Sequence, residues 1–269
     1  MCIGVVVVHN EGVERFVTSD GIAIAVHHFP AERPLAGKPP VLLQHGFAAD
    51  SIINWVTFGT VAALNEAGRS AIAVDARGHG ASDTPHDPAF YGEARMAQDL
   101  AELLDHLGLD QVDLVGYSMG AIVALLLATT DARLRRLVVG GVGASVVDMG
   151  KPDALRVDGS MLAAALRAPR PADVADPAAR SFRFFAESTG ADLLALAAQA
   201  DRVHRERIAL ERITVPTLVI AGDADPLAER PEVLAQAILG AQVHLVHGEH
   251  LGVVGRQEFK DAIVAFLSG

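Results

Sequence analysis

The stretch that decides the fold is Val112-Asp113-Leu114-Val115-Gly116-Tyr117-Ser118-Met119-Gly120, which runs directly into Ala121-Ile122-Val123-Ala124-Leu125-Leu126-Leu127-Ala128. Val112, Leu114 and Val115 predict a short buried strand, and residues 119–128 predict a helix with almost no polar surface. Glycines two residues before and two after Ser118 indicate a turn too tight for side chains at those positions. The pattern therefore predicts a serine in a strained backbone conformation that projects from the turn, at the N-terminus of a buried helix.

The rest of the chain places this turn in an α/β framework. Residues 13–29 predict a hairpin that turns at 19–21. Further strands are predicted at 41–45, 71–75, 112–115, 137–140, 217–221 and 243–246, and helices at 52–68, 93–108, 119–128 and 258–267. Strands and helices alternate with short connections from residue 41 to about 143. This alternation predicts a mostly parallel twisted sheet of about eight strands with helices on both faces.

The strand pattern disappears between residues 144 and 210, a segment rich in Ala, Arg and Asp and broken by four prolines. Helical periodicity within it predicts short helices at 160–168, 178–188 and 191–209. We interpret 144–210 as a helical lid inserted into one core domain that comprises 1–143 and 211–269, with the chain returning to the sheet at Ile213.

Composition excludes several classes of protein. With 51% hydrophobic and 20% charged residues, 269 residues can build one large core, and a formal net charge of −11 argues against a nucleic-acid partner. The single cysteine, Cys2, rules out a disulfide framework and fits a cytoplasmic protein. The apolar run at 3–8 is too short for a signal-peptide core, and helix 119–128 is about half as long as a bilayer span. We therefore expect no membrane association.

Four more segments accompany the serine turn in a specific order: His45-Gly46-Phe47, Asp75-Ala76-Arg77-Gly78-His79-Gly80-Ala81-Ser82, Gly222-Asp223-Ala224-Asp225-Pro226 and Gly248-Glu249-His250. Each follows a predicted strand. Together with the turn at 116–120, a nucleophile elbow in form, they resemble the α/β-hydrolase fold family over nearly the whole chain. The resemblance is closest to the lid-bearing serine hydrolases, which include esterases, lactonases, carbon–carbon bond hydrolases and cofactor-free haloperoxidases.

The resemblance implies a catalytic triad. Ser118 would be the nucleophile, His250 the base that takes its proton, and Asp225 the acid that orients the imidazole, in the chain order expected of this fold. Nearby residues offer alternatives: Asp223 could replace Asp225, and His244 or His247 could replace His250. His244, His247 and His250 also share a spacing of three, but residues three apart on a strand point to opposite faces, which disfavours a metal site.

The resemblance also implies an oxyanion hole made by the backbone N–H groups of Phe47 and Met119. Arg77 and His79 are expected to shape their turn through hydrogen bonds rather than to take part in chemistry. Candidate substrate contacts are Trp55, Tyr117, Met161, Phe182 and Phe185. For Trp55 the alternative is packing within helix 52–68. Arg180 and Arg183 could bind a substrate carboxylate or could lie on a solvated helix face.

We expect a serine hydrolase of carboxylesterase type that cleaves a small ester or lactone through an acyl-serine intermediate. Its partners would be a small-molecule substrate and water, with no metal or organic cofactor. Carbon–carbon cleavage of a vinylogous diketone, perhydrolysis, and a ligand sensor that hydrolyses its ligand slowly remain alternatives, because one fold supports many activities.

Overall fold

A computed structural model of the chain describes residues 13–150 and 158–269. Its centre is one eight-stranded sheet, whose strands in chain order are β1 Val13–Val17, β2 Ala23–Phe29, β3 Val41–Gln44, β4 Ala71–Asp75, β5 Val112–Tyr117, β6 Leu134–Gly140, β7 Thr217–Gly222 and β8 Gln242–Val246. Their order across the sheet is β1-β2-β4-β3-β5-β6-β7-β8. The hairpin of β1 and β2 is antiparallel, and β3 to β8 are parallel. The predicted fold class is confirmed.

The helices in chain order are α1 Thr60–Glu66, α2 Glu93–His106, α3 Met119–Ala128, α4 Ala144–Val147, α5 Gly159–Arg167, α6 Pro177–Thr189, α7 Leu193–Ala200, α8 Pro231–Gln236 and α9 Gln257–Ser268. The helices α1, α2, α3, α8 and α9 cover the two faces of the sheet, and α4 to α7 occur in the sequence between β6 and β7. A turn of π-helix, Ile52–Val56, precedes α1. Within 13–150 and 158–269, no helix is long and apolar enough to cross a bilayer.

Two hydrophobic layers sandwich the parallel strands. One joins α2, α3 and α8 to one face of the sheet, and the other joins α1 and α9 to the opposite face. Because both faces are covered, the central strands are mostly apolar, and every residue of β5 and β7 is buried. The buried Asp113 of β5 is an exception and pairs with Arg69 and Arg135. The helix α3, nearly all of it buried, packs directly behind the turn that follows β5.

The parallel strands direct three loops to one edge. Ser118 follows β5, Asp225 lies three residues after β7, and His250 lies four residues after β8. Neighbouring parallel strands end together, as the pairing of Tyr117 with Gly140 and of Gly222 with Val246 shows. Loops at the carboxyl ends of such strands surround a common crevice, which is where open α/β sheets bind ligands.

The structure corrects two predicted helices and adds one that was not predicted. The predicted helix 52–68 is two pieces, because the backbone at Gly59 is left-handed (φ 82°) and begins a new helix, α1. The predicted helix 191–209 ends at Ala200. The helix α8 was not predicted. Between β6 and β7 the described residues form helices and turns but no strand; the division into core and lid remains a prediction, and the apolar run at 3–8 lies outside the described residues.

Candidate functional site

The turn at Ser118 is held in an unusual backbone conformation, with φ 54° and ψ −116°. A side chain at Gly116 would lie 2.2 Å from the carbonyl oxygen of Gly120, and one at Gly120 would lie 2.2 Å from that of Gln44. The Ser118 N–H donates to the Gly140 carbonyl at 2.8 Å. Such a conformation costs about 1–3 kcal/mol and persists only where its surroundings enforce it. The two glycines of the sequence pattern are therefore required by close backbone contacts.

The three residues predicted to form a triad meet at this turn. His250 Nε2 lies 2.9 Å from Ser118 Oγ, and His250 Nδ1 lies 2.7 Å from Asp225 Oδ2. The side chain of Asp225 is fully buried, and its other oxygen accepts the Leu227 N–H at 2.8 Å. Because a carboxylate can only accept, Nδ1 carries the imidazole proton and Nε2 is left to accept the serine hydroxyl proton. The arrangement can move a proton from Ser118 to His250.

Two glycines bring the loop of His250 back over the sheet. A side chain at Gly222, the last residue of β7, would lie 2.3 Å from the Gly248 carbonyl oxygen. Gly248 itself has φ 148°, a conformation that side chains disfavour. Tyr117 then fixes the loop, because its hydroxyl donates to the backbone carbonyl of His250. The position of the imidazole thus depends on β5 and β7 as well as on its own loop.

The structure places Asp223 and His247 in a contact with each other that does not include Ser118. Asp223 contacts His247 at 3.0 Å through His247 Nδ1 and accepts the Gly248 N–H at 3.0 Å. Both side chains are exposed, and neither pairs with Ser118. Their contacts join the turn after β7 to the loop after β8.

The loop after β3 approaches Ser118 from the other side. Its backbone is tethered on both sides of Phe47: the Gly46 N–H donates to Asn54 Oδ1 at 3.0 Å, and the Ala48 N–H donates to His79 Nε2 at 3.2 Å. Among the described residues, the N–H groups of Phe47 and Met119 have no hydrogen-bond partner. A Cβ at Gly46 would lie 3.3 Å from Ser118 Cβ, so this loop is in contact with the serine.

Two buried histidines, both neutral, stabilise that loop by accepting backbone hydrogen bonds. Burial lowers the pKa of His79 to about 3 and also lowers the pKa of His45. The ring of His45 accepts the Ala76 N–H through Nε2 at 2.9 Å, just as His79 accepts from Ala48. Arg77 is fully buried and donates to Asp20 and Asp99. The structural roles predicted for Arg77 and His79 are confirmed.

Two cavities meet at Ser118. The larger, about 170 Å³, is lined mostly by apolar side chains that include Phe47, Met119, Ile122, Val142, Met149 and Leu162. The smaller, about 100 Å³, contains His250, Leu251 and Val254 in its wall. Phe47, Ser118 and Phe182 line both, so the serine lies at their junction. Such paired, mostly apolar spaces suit a small substrate that extends to both sides of the reacting atom.

The structure separates the predicted pocket residues into two groups. Phe182 lines both cavities, and Tyr117 and Phe185 line the smaller one. Trp55 does not reach either cavity: its side chain is fully buried in the layer between the sheet, α1 and α9, so the packing alternative is correct. Met161 is 48% exposed on the outer face of α5, because its neighbour Leu162 faces inward.

Neither alternative for Arg183 is correct. Its guanidinium is buried and donates to the carbonyls of Ala165, Leu166 and Ala168, which end α5, and to Glu187. It therefore caps a neighbouring helix instead of binding substrate or facing solvent. Arg180 is not among the described residues that line either cavity; it donates to the carbonyl of Ala175.

Sequence reasoning missed four polar residues in the wall of the larger cavity: Glu93, Ser145, Gln199 and His204. Glu93 begins α2 and accepts the His204 N–H at 2.6 Å, and burial raises the pKa of its carboxyl to about 7. Gln199, on α7, is 2% exposed. The sequence offered one signal: Glu93 and Gln199 are polar residues at positions of α2 and α7 that face inward. That signal does not reveal which cavity either side chain lines.

Comparison with known proteins agrees with this fold. A family model described as alpha/beta hydrolase fold matches residues 39–182. A poly(3-hydroxyalkanoate) depolymerase of Ectopseudomonas oleovorans is 30% identical over 254 residues, 85% of this chain and 84% of the relative. A 2-hydroxy-6-oxo-2,4-heptadienoate hydrolase of Pseudomonas putida is 36% identical over 138 residues, 51% of this chain but only 47% of the relative.

A solved structure of a hydrolase from Pseudomonas aeruginosa PA01 superposes with a TM-score of 0.77 at 29% identity, covering 97% of this chain and all of that one. The match to the Pseudomonas putida hydrolase spans less than half of that protein. The family is nevertheless shown, since the family model covers more than half of the chain and the depolymerase matches along most of its length. This chain belongs to the α/β-hydrolase fold family.

Proposed function

We propose that the protein is a serine hydrolase that cleaves a small carboxylic ester or lactone through an acyl-serine intermediate. The observation that carries the proposal is the continuous hydrogen-bonded row from Ser118 through His250 to buried Asp225. A serine hydroxyl is a weak nucleophile at neutral pH and needs an adjacent oriented base. A surface serine or a structural turn would not require a fully buried carboxylate behind its histidine.

In the first half of the reaction, His250 takes the Ser118 proton while Oγ attacks the substrate carbonyl. The carbonyl oxygen becomes negative and receives hydrogen bonds from the Phe47 and Met119 N–H groups, at the N-terminus of α3. His250 then gives its proton to the leaving alcohol, whose C–O bond breaks. Asp225 stabilises the imidazolium throughout.

In the second half, water replaces the alcohol. His250 takes a proton from this water, whose oxygen attacks the acyl carbon, and the same two N–H groups again stabilise the oxyanion. The acid is released when the bond to Ser118 Oγ breaks and His250 returns the proton to the serine. Water and the ester are the two substrates, and this chain's own groups carry every proton transfer.

The lining of the cavities favours an ester over the carbon–carbon alternative. A 2-hydroxy-6-oxo-2,4-heptadienoate, the substrate in the name of one relative, carries a carboxylate. Among the described residues that line the two cavities there is no arginine or lysine to receive one, and Arg183 is occupied by helix carbonyls. Burying a carboxylate without a partner is costly. We therefore place a neutral ester or lactone first.

The test is pre-steady-state hydrolysis of p-nitrophenyl butyrate. We expect a burst of p-nitrophenol with an amplitude close to one per active site, followed by turnover well above a few per minute, which also separates an enzyme from a slow sensor. Ser118→Ala should abolish both phases. Ser181→Ala, an exposed serine on α6, is the matched control and should leave both intact. Equal turnover in Ser118→Ala would reject the proposal.

A further inference from the structure

The two cavities differ in their relation to His250, and this difference assigns a part of the substrate to each. His250 lies in the wall of the smaller cavity and not among the described residues that line the larger one. The histidine must give its proton to the leaving alcohol, so the alcohol lies on its side of Ser118. The acyl part then extends into the larger cavity. This step rests on the proposed function.

The wall of the larger cavity contains a cluster of hydrogen-bond acceptors. Gln199 is 2% exposed and directs its NH₂ group towards the sulfur of Met119, while its Oε1 is buried with no hydrogen-bond partner. An amide oxygen in that position costs about 1–3 kcal/mol unless a donor reaches it. Gln199 is among the residues that line the larger cavity, so a ligand in that cavity is the candidate donor for this oxygen.

His204 adds a second buried acceptor. Its Nε2 has no partner, while the ring bonds to the backbone of Glu206. Burial lowers the pKa of His204, so the ring is neutral and Nε2 presents a lone pair. The backbone N–H of the same residue donates to the Glu93 carboxyl, so Glu93 and His204 are neighbours in the wall of the cavity.

Glu93 is the third member of the cluster, and its surroundings favour a neutral group of the substrate over a cationic one. Glu93 is 4% exposed and begins α2. Its carboxyl already accepts an N–H from His204, and the N-terminus of α2 favours negative charge, so the protein offsets part of the charge of the carboxylate. Bringing an ammonium into this mostly apolar cavity would add a large desolvation cost. A hydroxyl donates a single hydrogen bond, and any one of the three side chains in the cluster can accept it.

We propose that Glu93, Gln199 and His204 determine specificity by accepting a hydrogen bond from a hydroxyl group on the acyl part of the substrate. The substrate class is therefore an ester or lactone of a hydroxy acid. Glu93 and His204 also line a groove on the outer surface. These two residues therefore separate the groove from the larger cavity, at its outer end. We expect the hydroxyl of the substrate to lie at this end, on a carbon of the acyl group that is distant from Ser118.

The experiment compares p-nitrophenyl esters with a constant leaving group. Hydroxyalkanoates with the hydroxyl at carbon 3, 6 or 7, positions that do not close a five- or six-membered lactone, are each paired with the alkanoate of equal heavy-atom count, and p-nitrophenyl 6-aminohexanoate is added. For at least one hydroxyl position we expect kcat/KM about tenfold above the paired alkanoate, the worth of one hydrogen bond to a buried acceptor. Gln199→Met should reduce that ratio to about one.

Two further variants complete the design. Glu93→Gln keeps an oxygen for the His204 N–H and should also reduce the ratio, which covers the case in which Gln199→Met fails to fold. Gln236→Met makes the same substitution on the exposed face of α8 and should leave the ratio unchanged. Hydrolysis of p-nitrophenyl acetate by the wild-type protein tests the proposed function separately.

The outcomes are distinct. If acetate is hydrolysed but no hydroxyl ester exceeds its alkanoate partner, the specificity inference is wrong and the proposed function stands. A preference for the aminohexanoate over every hydroxyl ester would also overturn it. If no ester is hydrolysed, both the specificity inference and the proposed function are wrong. A ratio that persists in Gln199→Met and Glu93→Gln would remove these residues from recognition.

Discussion

The hydroxyl of Tyr117 donates a hydrogen bond to the backbone carbonyl of His250, so the residue before the candidate nucleophile holds the loop of its base. Their rings lie 5.3 Å apart between centroids. Burial raises the pKa of Tyr117 well above its ordinary value, which keeps the hydroxyl protonated and able to donate. One rigid strand end, at β5, therefore positions both partners of the first proton transfer.

Replacing Tyr117 with Phe should lower kcat about tenfold for p-nitrophenyl butyrate while KM changes less than about twofold, because one hydrogen bond that fixes the base is lost. The matched control is Tyr91→Phe, since the chain has two tyrosines and Tyr91 donates to the Pro85 carbonyl away from the triad. A similar fall in kcat for both variants would show general destabilisation instead of loss of positioning.

Replacing Gly222 with Ala should lower kcat at least about 100-fold. The added methyl would lie 2.3 Å from the Gly248 carbonyl oxygen, so the loop must move, and a shift of about 1 Å in a catalytic group has this scale of effect. Gly252→Ala is the control in the same loop, because its nearest atom would be the Glu249 carbonyl oxygen at 3.8 Å. Steady-state kinetics measure both; a fully active Gly222→Ala would contradict the tight approach.

His79 should make the fold sensitive to acid. Its pKa is about 3 in the folded protein and close to 6.5 when unfolded, so the unfolded state binds more protons between these values. The stabilisation is complete above pH 6.5 and declines as the pH falls towards 3, by up to about 1.4 kcal/mol per pH unit.

His79→Gln, which keeps an acceptor for the Ala48 N–H, should therefore lose less stability than the wild type between pH 6.5 and 4.5. Urea unfolding at several pH values measures the difference between the two proteins, in which the other titrating groups cancel. His86→Gln, an exposed histidine bonded to Asp192, should not flatten the curve. Parallel curves for His79→Gln and the wild type would mean that His79 titrates normally.

Phe185→Ala should change selectivity for the alcohol of the ester and leave selectivity for the acid unchanged, since Phe185 lines the smaller cavity, where His250 lies. We expect bulkier alcohols, such as benzyl compared with ethyl butyrate, to gain at least about threefold in relative kcat/KM as the space is enlarged. A change confined to acyl chain length would reverse the assignment of the two cavities.

The elements predicted most accurately from the sequence are those in which close backbone contacts permit only one residue type. The strand, turn and helix around Ser118 need glycines at 116 and 120 because backbone atoms of Gly120 and Gln44 occupy the space of a side chain, and α3 was predicted at the residues observed. The loops of Asp225 and His250 carry a recognisable order of motifs. The resemblance to the family was therefore readable without coordinates.

Prediction failed where packing between distant segments decides the outcome. Trp55 and Arg183 are residue types common in pockets, yet one fills a core layer and the other caps α5. Glu93 and Gln199 reach the larger cavity only because α2 and α7 converge beside α3, a contact that periodicity within each helix does not specify. Such residues can be found only after the helices between β6 and β7 have been positioned.

The central claim is that Ser118 becomes acylated, and peptide mapping of the acid-quenched enzyme tests it most directly. Protein mixed with p-nitrophenyl butyrate is quenched during the burst, digested and analysed by mass spectrometry. The account predicts one butyryl group, on the peptide that contains Ser118 and on that side chain. A burst with the acyl group on another residue, or turnover with no acylated peptide at any quench time, would contradict it.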